Sequence, residues 1–236
     1  MPKSDNFVAV DWRSEKDKCY FFFKDTNTYT RFDNGDDQVP PGYPKPISYS
    51  SWGDFHQHAK NLRFGFATSR LITANRVELD PDILWLFYYV GETPAFCEYD
   101  QDVDSIRGFH TVAGSMWAPL LPYFDRIVAG TWWKAPRKWN SSHTFRFLLN
   151  DGNGLDLDWN TRKVKLHAIN DDTWPGLEPY KHRIITAVQM NADFGDSDYF
   201  IFLTGSQYLK YNIDENKLAV GPRSFNDKNW PGLFRN

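Results

Sequence analysis

Tyr20-Phe21-Phe22-Phe23 is an aromatic run that comes back three more times, as Leu86-Phe87-Tyr88-Tyr89, Phe145-Arg146-Phe147-Leu148-Leu149 and Phe200-Ile201-Phe202-Leu203. The run centres Phe22, Phe87, Phe147 and Phe202 step by 65, 60 and 55 residues. A second landmark, Trp52, Trp117, Trp174 and Trp230, steps by 65, 57 and 56. Two landmarks with a shared spacing mark a repeat architecture, in which each unit buries its apolar face against its neighbours. The last two copies close on nearly the same words, Trp174-Pro175-Gly176-Leu177 and Trp230-Pro231-Gly232-Leu233.

Outward from each aromatic run, the copies read as strands. The first copy has Phe7 to Trp12, Cys19 to Lys24 and Thr28 to Asp33. Asp25-Thr26-Asn27 and Asn34-Gly35-Asp36-Asp37 are its turns, because Asp and Asn bond their own backbone and tolerate left-handed geometry. The second copy has Leu62 to Ala67, an insertion from Ser69 to Asp82, then Ile83 to Val90 and Ala95 to Asp100. The third has Ile127 to Trp132, Thr144 to Leu149 and Leu155 to Trp159. Its Asn150-Asp151-Gly152-Asn153-Gly154 is the strongest hairpin signal in the chain. The fourth has Ile185 to Met190, Tyr199 to Thr204, Gln207 to Ile213 and a short outer strand, Leu218 to Val220. The openings align on a small residue, Ala9, Gly65, Ala129 and Ala187, as strands crowded around a common axis require. The expected fold is all-β, a four-bladed β-propeller. Its blades run 7–60, 61–125, 126–183 and 184–236 in one domain.

Composition agrees. Aromatics make up 17% of the chain, and they favour strands. A net charge of −3 implies no broad basic face for nucleic acid. The opening residues Met1 to Asn6 lack an apolar signal region, and no segment is apolar enough to span a bilayer. The expectation is a cytoplasmic protein with both cysteines, Cys19 and Cys97, reduced.

The aromatic strand pair Tyr20-Phe21-Phe22-Phe23-Lys24 and Tyr29-Thr30-Arg31-Phe32-Asp33, with the closing Trp-Pro-Gly-Leu, resembles the hemopexin-like repeat. Tyr199-Phe200-Ile201-Phe202 with Tyr208-Leu209-Lys210-Tyr211 is the second-best match. The resemblance covers nearly the whole chain and implies a four-bladed propeller. That family includes blood haem carriers, the carboxy-terminal domains of matrix metalloproteinases, and legume seed albumins that bind polyamine or haem. This chain is most similar in kind to the last group. The resemblance implies an axial ion held mostly by main-chain carbonyls, here at Ala9, Gly65, Ala129 and Ala187. Such hard oxygen ligands suit Ca²⁺, Mg²⁺ or Na⁺. The family's Asp at the innermost strand is absent on this alignment. Its disulfide between first and last blades is absent too, since Cys19 and Cys97 lie in the first and second repeats.

Function is expected to be non-enzymatic binding, because no metalloprotease, nucleophile-elbow or phosphate-loop motif is present. Asp11, Trp12, Trp132, Trp133 and Trp139 are the candidate ligand-binding residues. They lie at or after innermost strands, where Trp faces can stack on sugars, polyamines or porphyrins. Core packing is the competing use of the same rings. Haem would call on His110, His143 or His182. Asp100-x-Asp102-x-Asp104 resembles the start of a calcium loop but lacks its later ligands. His56-Gln57-His58 lacks a third ligand. Asp156 and Asp158 read as structural acids. The expected partner is a small molecule (polyamine or haem by resemblance) or a glycan, the latter making the protein a lectin. Self-association into a homodimer, and a storage or protein-interaction role, are further readings.

Overall fold

The four aromatic runs become the second strands of four antiparallel sheets. The structure is a computed structural model that describes residues 5–12, 18–68, 71–72, 78–134, 143–189 and 198–235. Of residues 71–72, 78, 133–134 and 143 it describes the backbone alone.

The first sheet holds β1 (Phe7–Trp12), β2 (Lys18–Phe23), β3 (Thr28–Asp33) and the short β4 (Lys45–Pro46), followed by α1 (Tyr49–Trp52). The second begins at β5 (Leu62–Ala67). Within the expected insertion, β6 (Leu71–Ile72) pairs with β7 (Glu78–Leu79) as a separate hairpin. The sheet resumes with β8 (Ile83–Val90), β9 (Thr93–Asp100) and β10 (Ser105–Thr111). The third contains β11 (Ile127–Lys134), β12 (His143–Leu149), β13 (Asn153–Asp158) and β14 (Val164–Ala168). The fourth contains β15 (Ile184–Gln189), β16 (Asp198–Leu203), β17 (Gln207–Asn212) and β18 (Lys217–Ser224). The inner strands β1, β5, β11 and β15 neighbour one another in a ring. The chain is a four-bladed propeller. Sequence reading names an outer fourth strand in the last repeat alone; β4, β10 and β14 complete the other blades. These strands carry half-exposed or exposed residues with little apolar periodicity, so pattern does not reveal them.

Buried and exposed residues do not alternate strictly along β3: Tyr29 and Thr30 are both buried. The reason is architectural. Each blade is covered on both faces, and the core divides into four clusters, one per seam between blades. Trp52, Trp117, Trp174 and Trp230 each plug one seam, at 2%, 0%, 0% and 3% exposure. The seam between the last blade and the first packs Phe7 against Phe202 at 5.3 Å and Phe21 against Trp230 at 5.6 Å. Cys19 and Cys97 are both free and buried. No helix among the described residues is long and apolar enough to cross a membrane.

Register sharpens the repeat alignment. Ala9 pairs with Phe21, Gly65 with Leu86 and Ala187 with Ile201. The third blade matches them with Gly130, paired with Phe147, rather than with Ala129. A Cβ on Gly65 would lie 2.8 Å from Val10 of the preceding blade, and one on Gly130 would lie 3.1 Å from Phe66 of the preceding blade. Ala129 belongs to the following seam instead, with Ile184 and Ala187. A one-residue slip along a strand exchanges its two faces. The same slip moves the second-strand landmark from Phe147 to Leu148, the partner of Ala129.

Candidate functional site

Asp11 supplies the one carboxylate on the four inner strands. It is 4% exposed, and its Oδ1 accepts the Ala67 N–H of the second blade at 2.9 Å. Thr131 of the third blade donates to Gln189 Oε1 of the fourth, and Ala9 N–H donates to Thr186 Oγ1 at 3.3 Å. These contacts tie blades together around the axis. No group of three or more His, Cys, Asp or Glu among the described residues could hold a metal ion. The small-residue ring is thus explained by close approach of strands. It brings no side-chain ligand set, which leaves main-chain carbonyls as the ion ligands the resemblance implies.

The expected stacking residues divide. Trp12 is 9% exposed and packs against Tyr20 at 4.8 Å and Tyr99 at 6.0 Å. Trp132 is 6% exposed and packs edge-on to Phe145 at 4.9 Å. Both rings pack in seams: an inner-strand side chain turns into a seam, and a Trp fills it. The Trp133 side chain and the whole of Trp139 lie outside the described residues. The acidic run is spent on a turn, with Asp102 and Val103 N–H donating to Asp100 Oδ1, and Tyr99 donating to Asp104.

A pocket of about 440 Å³ opens where β9 and β10 meet the segment leading to Trp117. Phe96, Glu98, Phe109, His110, Ser115 and Met116 are among the residues lining it. Its size falls within the range of roughly 300–1,000 Å³ usual for small-ligand sites. Ser115 donates its hydroxyl to Val112 O at 2.9 Å, closing the turn that forms one wall. The His110 ring stacks on Phe96 at 5.1 Å, with Nε2 at 3.9 Å from Glu98 Oε1.

Comparison of the blades shows what is unusual here. Arg31, Glu98, Asp156 and Lys210 occupy one equivalent third-strand position, opposite Tyr20, Trp85, Arg146 and Phe200. Arg31 is paired with Asp33 at 2.8 Å, Asp156 with Arg146 at 3.2 Å and Lys210 with Asp198 at 2.5 Å. Those partners all carry a permanent charge. Glu98 faces instead the half-exposed His110. His110 and His167 are themselves equivalent, opposite Phe96 and Gly154. Gly154 lets His167 sink to 3.1 Å from Asp156, while the Phe96 ring holds His110 outward. Glu98 thus lacks both the guanidinium and the close imidazole that its counterpart holds.

Sequence reading passes over Glu98. Its signal is present, since a charged residue recurs opposite the second-strand run, but the one-residue slip in the third copy hides the alignment. A haem ligand needs a ring nitrogen facing outward. His110 turns Nε2 onto Gly108, where a Cβ would lie 2.6 Å away, and His182 packs onto Gly152, where a Cβ would lie 2.5 Å from its Cε1. The His143 side chain is outside the described residues.

No family model and no curated protein matches the chain. Solved structures give distant likenesses. One is a luciferin-regenerating enzyme at 11% identity and TM-score 0.34, over 95% of this chain and 61% of that one. Another is a protein of unknown function from Bacteroides thetaiotaomicron at 11% and 0.34, over 94% and 44%. A third is Kuenenia stuttgartiensis hydrazine synthase at 6% and 0.32, over 96% and 51%. The chain spans less than two thirds of the length of each. Likeness at this level assigns no family, ligand or activity.

Proposed function

We propose that the chain is a hemopexin-type binding propeller, not an enzyme, and that it takes a small organic cation at Glu98. The observation that carries this reading is the comparison of the four equivalent seam charges. Three have a permanently charged partner within the blade, and Glu98, which lines a pocket, has none among the described residues. A ligand ammonium would supply that charge, and the aromatic wall of Phe96 and Phe109 suits the methylenes that follow it. A polyamine, the ligand the family resemblance suggests, has this chemistry.

The test is calorimetric titration of spermidine into the protein and into Glu98→Gln. The expected result is saturable binding that weakens about 10-fold or more in the variant, since a charge-assisted hydrogen bond contributes about 1.5–3 kcal/mol. No binding, or equal binding by both proteins, refutes the reading.

A further inference from the structure

The outer mouth of the seam between blades 1 and 2 gathers a second set of groups away from Glu98. Tyr20 and Tyr29 stack at 6.1 Å, and Tyr43 stands edge-on to Tyr29 at 5.7 Å. Arg31 lies over the Tyr43 ring at 5.8 Å and Lys45 at 4.9 Å. From the facing blade, Tyr99 donates to Asp104 Oδ1 at 2.7 Å.

The corresponding place between blades 3 and 4 is sealed. Arg146 replaces Tyr20 there and lies 4.0 Å over Trp174. Its fork donates to Asp156, Asn216 Oδ1 and Thr173 O. Tyr211 donates to Asn216, repeating Tyr99 and Asp104 with the same spacing of five residues. Between blades 1 and 2 no such fork is present, and the hydroxyls of Tyr20, Tyr29 and Tyr43 make no hydrogen bond to a described residue. Tyr29 is only 7% exposed, so its ring is fixed while its hydroxyl faces the opening.

The charge balance narrows the ligand. Arg31 is held by both oxygens of Asp33, at 2.8 and 2.9 Å, and Lys45 and Asp104 add one charge of each sign. The mouth therefore favours neither anion nor cation. Burial raises the Tyr20 and Tyr43 hydroxyls, and takes Tyr29 up to about 12, so all three stay protonated donors near neutrality.

We propose that this mouth binds a neutral polyhydroxyl ring, a monosaccharide unit, through the hydroxyls of Tyr20, Tyr29 and Tyr43. Asp104 accepts from the sugar and Arg31 donates to it, while the tyrosine rings cover its C–H face. This site is independent of the cation reading at Glu98.

Saturation-transfer NMR with glucose, galactose, mannose, fucose and N-acetylglucosamine tests it. The variant is Tyr20→Phe/Tyr43→Phe, which removes two hydroxyls and keeps both rings. Transfer to at least one sugar is expected, with affinity falling 10-fold or more in the double variant and unchanged in Glu98→Gln. Its thermal midpoint should stay close to that of the parent. Absence of transfer to every sugar, transfer unaffected by the double variant, or tighter binding of inorganic phosphate than of any sugar overturns the proposal.

Discussion

Arg146 is a full charge held at 7% exposure. Burial pulls its pKa down, and the Asp156 carboxylate opposes that pull. The same guanidinium, with His167, holds Asp156 below the usual carboxylate range against the burial that would raise it. Breaking a buried pair costs about 3–5 kcal/mol, because the survivor is left uncompensated. Arg146→Met should therefore lower the urea-derived unfolding free energy by about that amount. Adding Asp156→Asn to that variant should recover part of the loss. Sequence reading places Asp156 among structural acids, and the structure pairs it with Arg146 and His167. It does not reveal that Asp156 and Glu98 are counterparts with opposite fates. That contrast depends on Gly154 and Phe96, two residues whose importance lies in how far they let a histidine approach.

Strands, turns and their order are largely legible in this sequence; the phase of the third repeat is not. Val128-Ala129-Gly130 offers two adjacent small residues, and Phe145 to Leu149 offers apolar candidates on both faces. No local feature distinguishes the registers. Contact with the neighbouring blade does. A Cβ on Gly130 would fall 2.6 Å from Phe147, and one on Gly65 would fall 2.9 Å from the Trp85 carbonyl. Gly65→Ala and Gly130→Ala should each destabilise by about 1–3 kcal/mol through overpacking. Ala129→Gly should cost nearer 1 kcal/mol, through backbone entropy. Chemical denaturation of the three variants checks which residue stands at the axis.

The whole molecule is a ring of four seams, and its pH response can be read from one of them. Lys24 is pushed down to about 8 by burial, with Arg63 adding repulsion. The unfolded chain keeps that ammonium protonated to about pH 10.4. Between about pH 8 and 10 the unfolded state therefore binds more protons than the folded one, and stability rises with pH. Burial pushes the Cys97 thiol up, which opposes this rise over the same range, so the check is a difference: the urea midpoint of the parent should gain on that of Lys24→Met as pH climbs through the window. Ring closure, expected to rest on packing without a disulfide, does so: Phe225, Trp230 and Leu233 pack in one cluster with Phe7 and Phe21, and Val39 N–H donates to Pro231 O at 2.9 Å. Between the third and fourth strands of every blade the chain passes through a left-handed residue. Those residues are Asp37, Asp104, Arg162 and Asn216, at φ of 51°, 52°, 60° and 48°. Such surface turns tolerate cuts and insertions. The ring of Phe234 also lies 6.4 Å from that of Phe23, so the far end of the described chain returns to the blade where it began. A circular permutant opened at any of the four turns would keep all four seams, which makes blade order a property of the gene rather than of the fold.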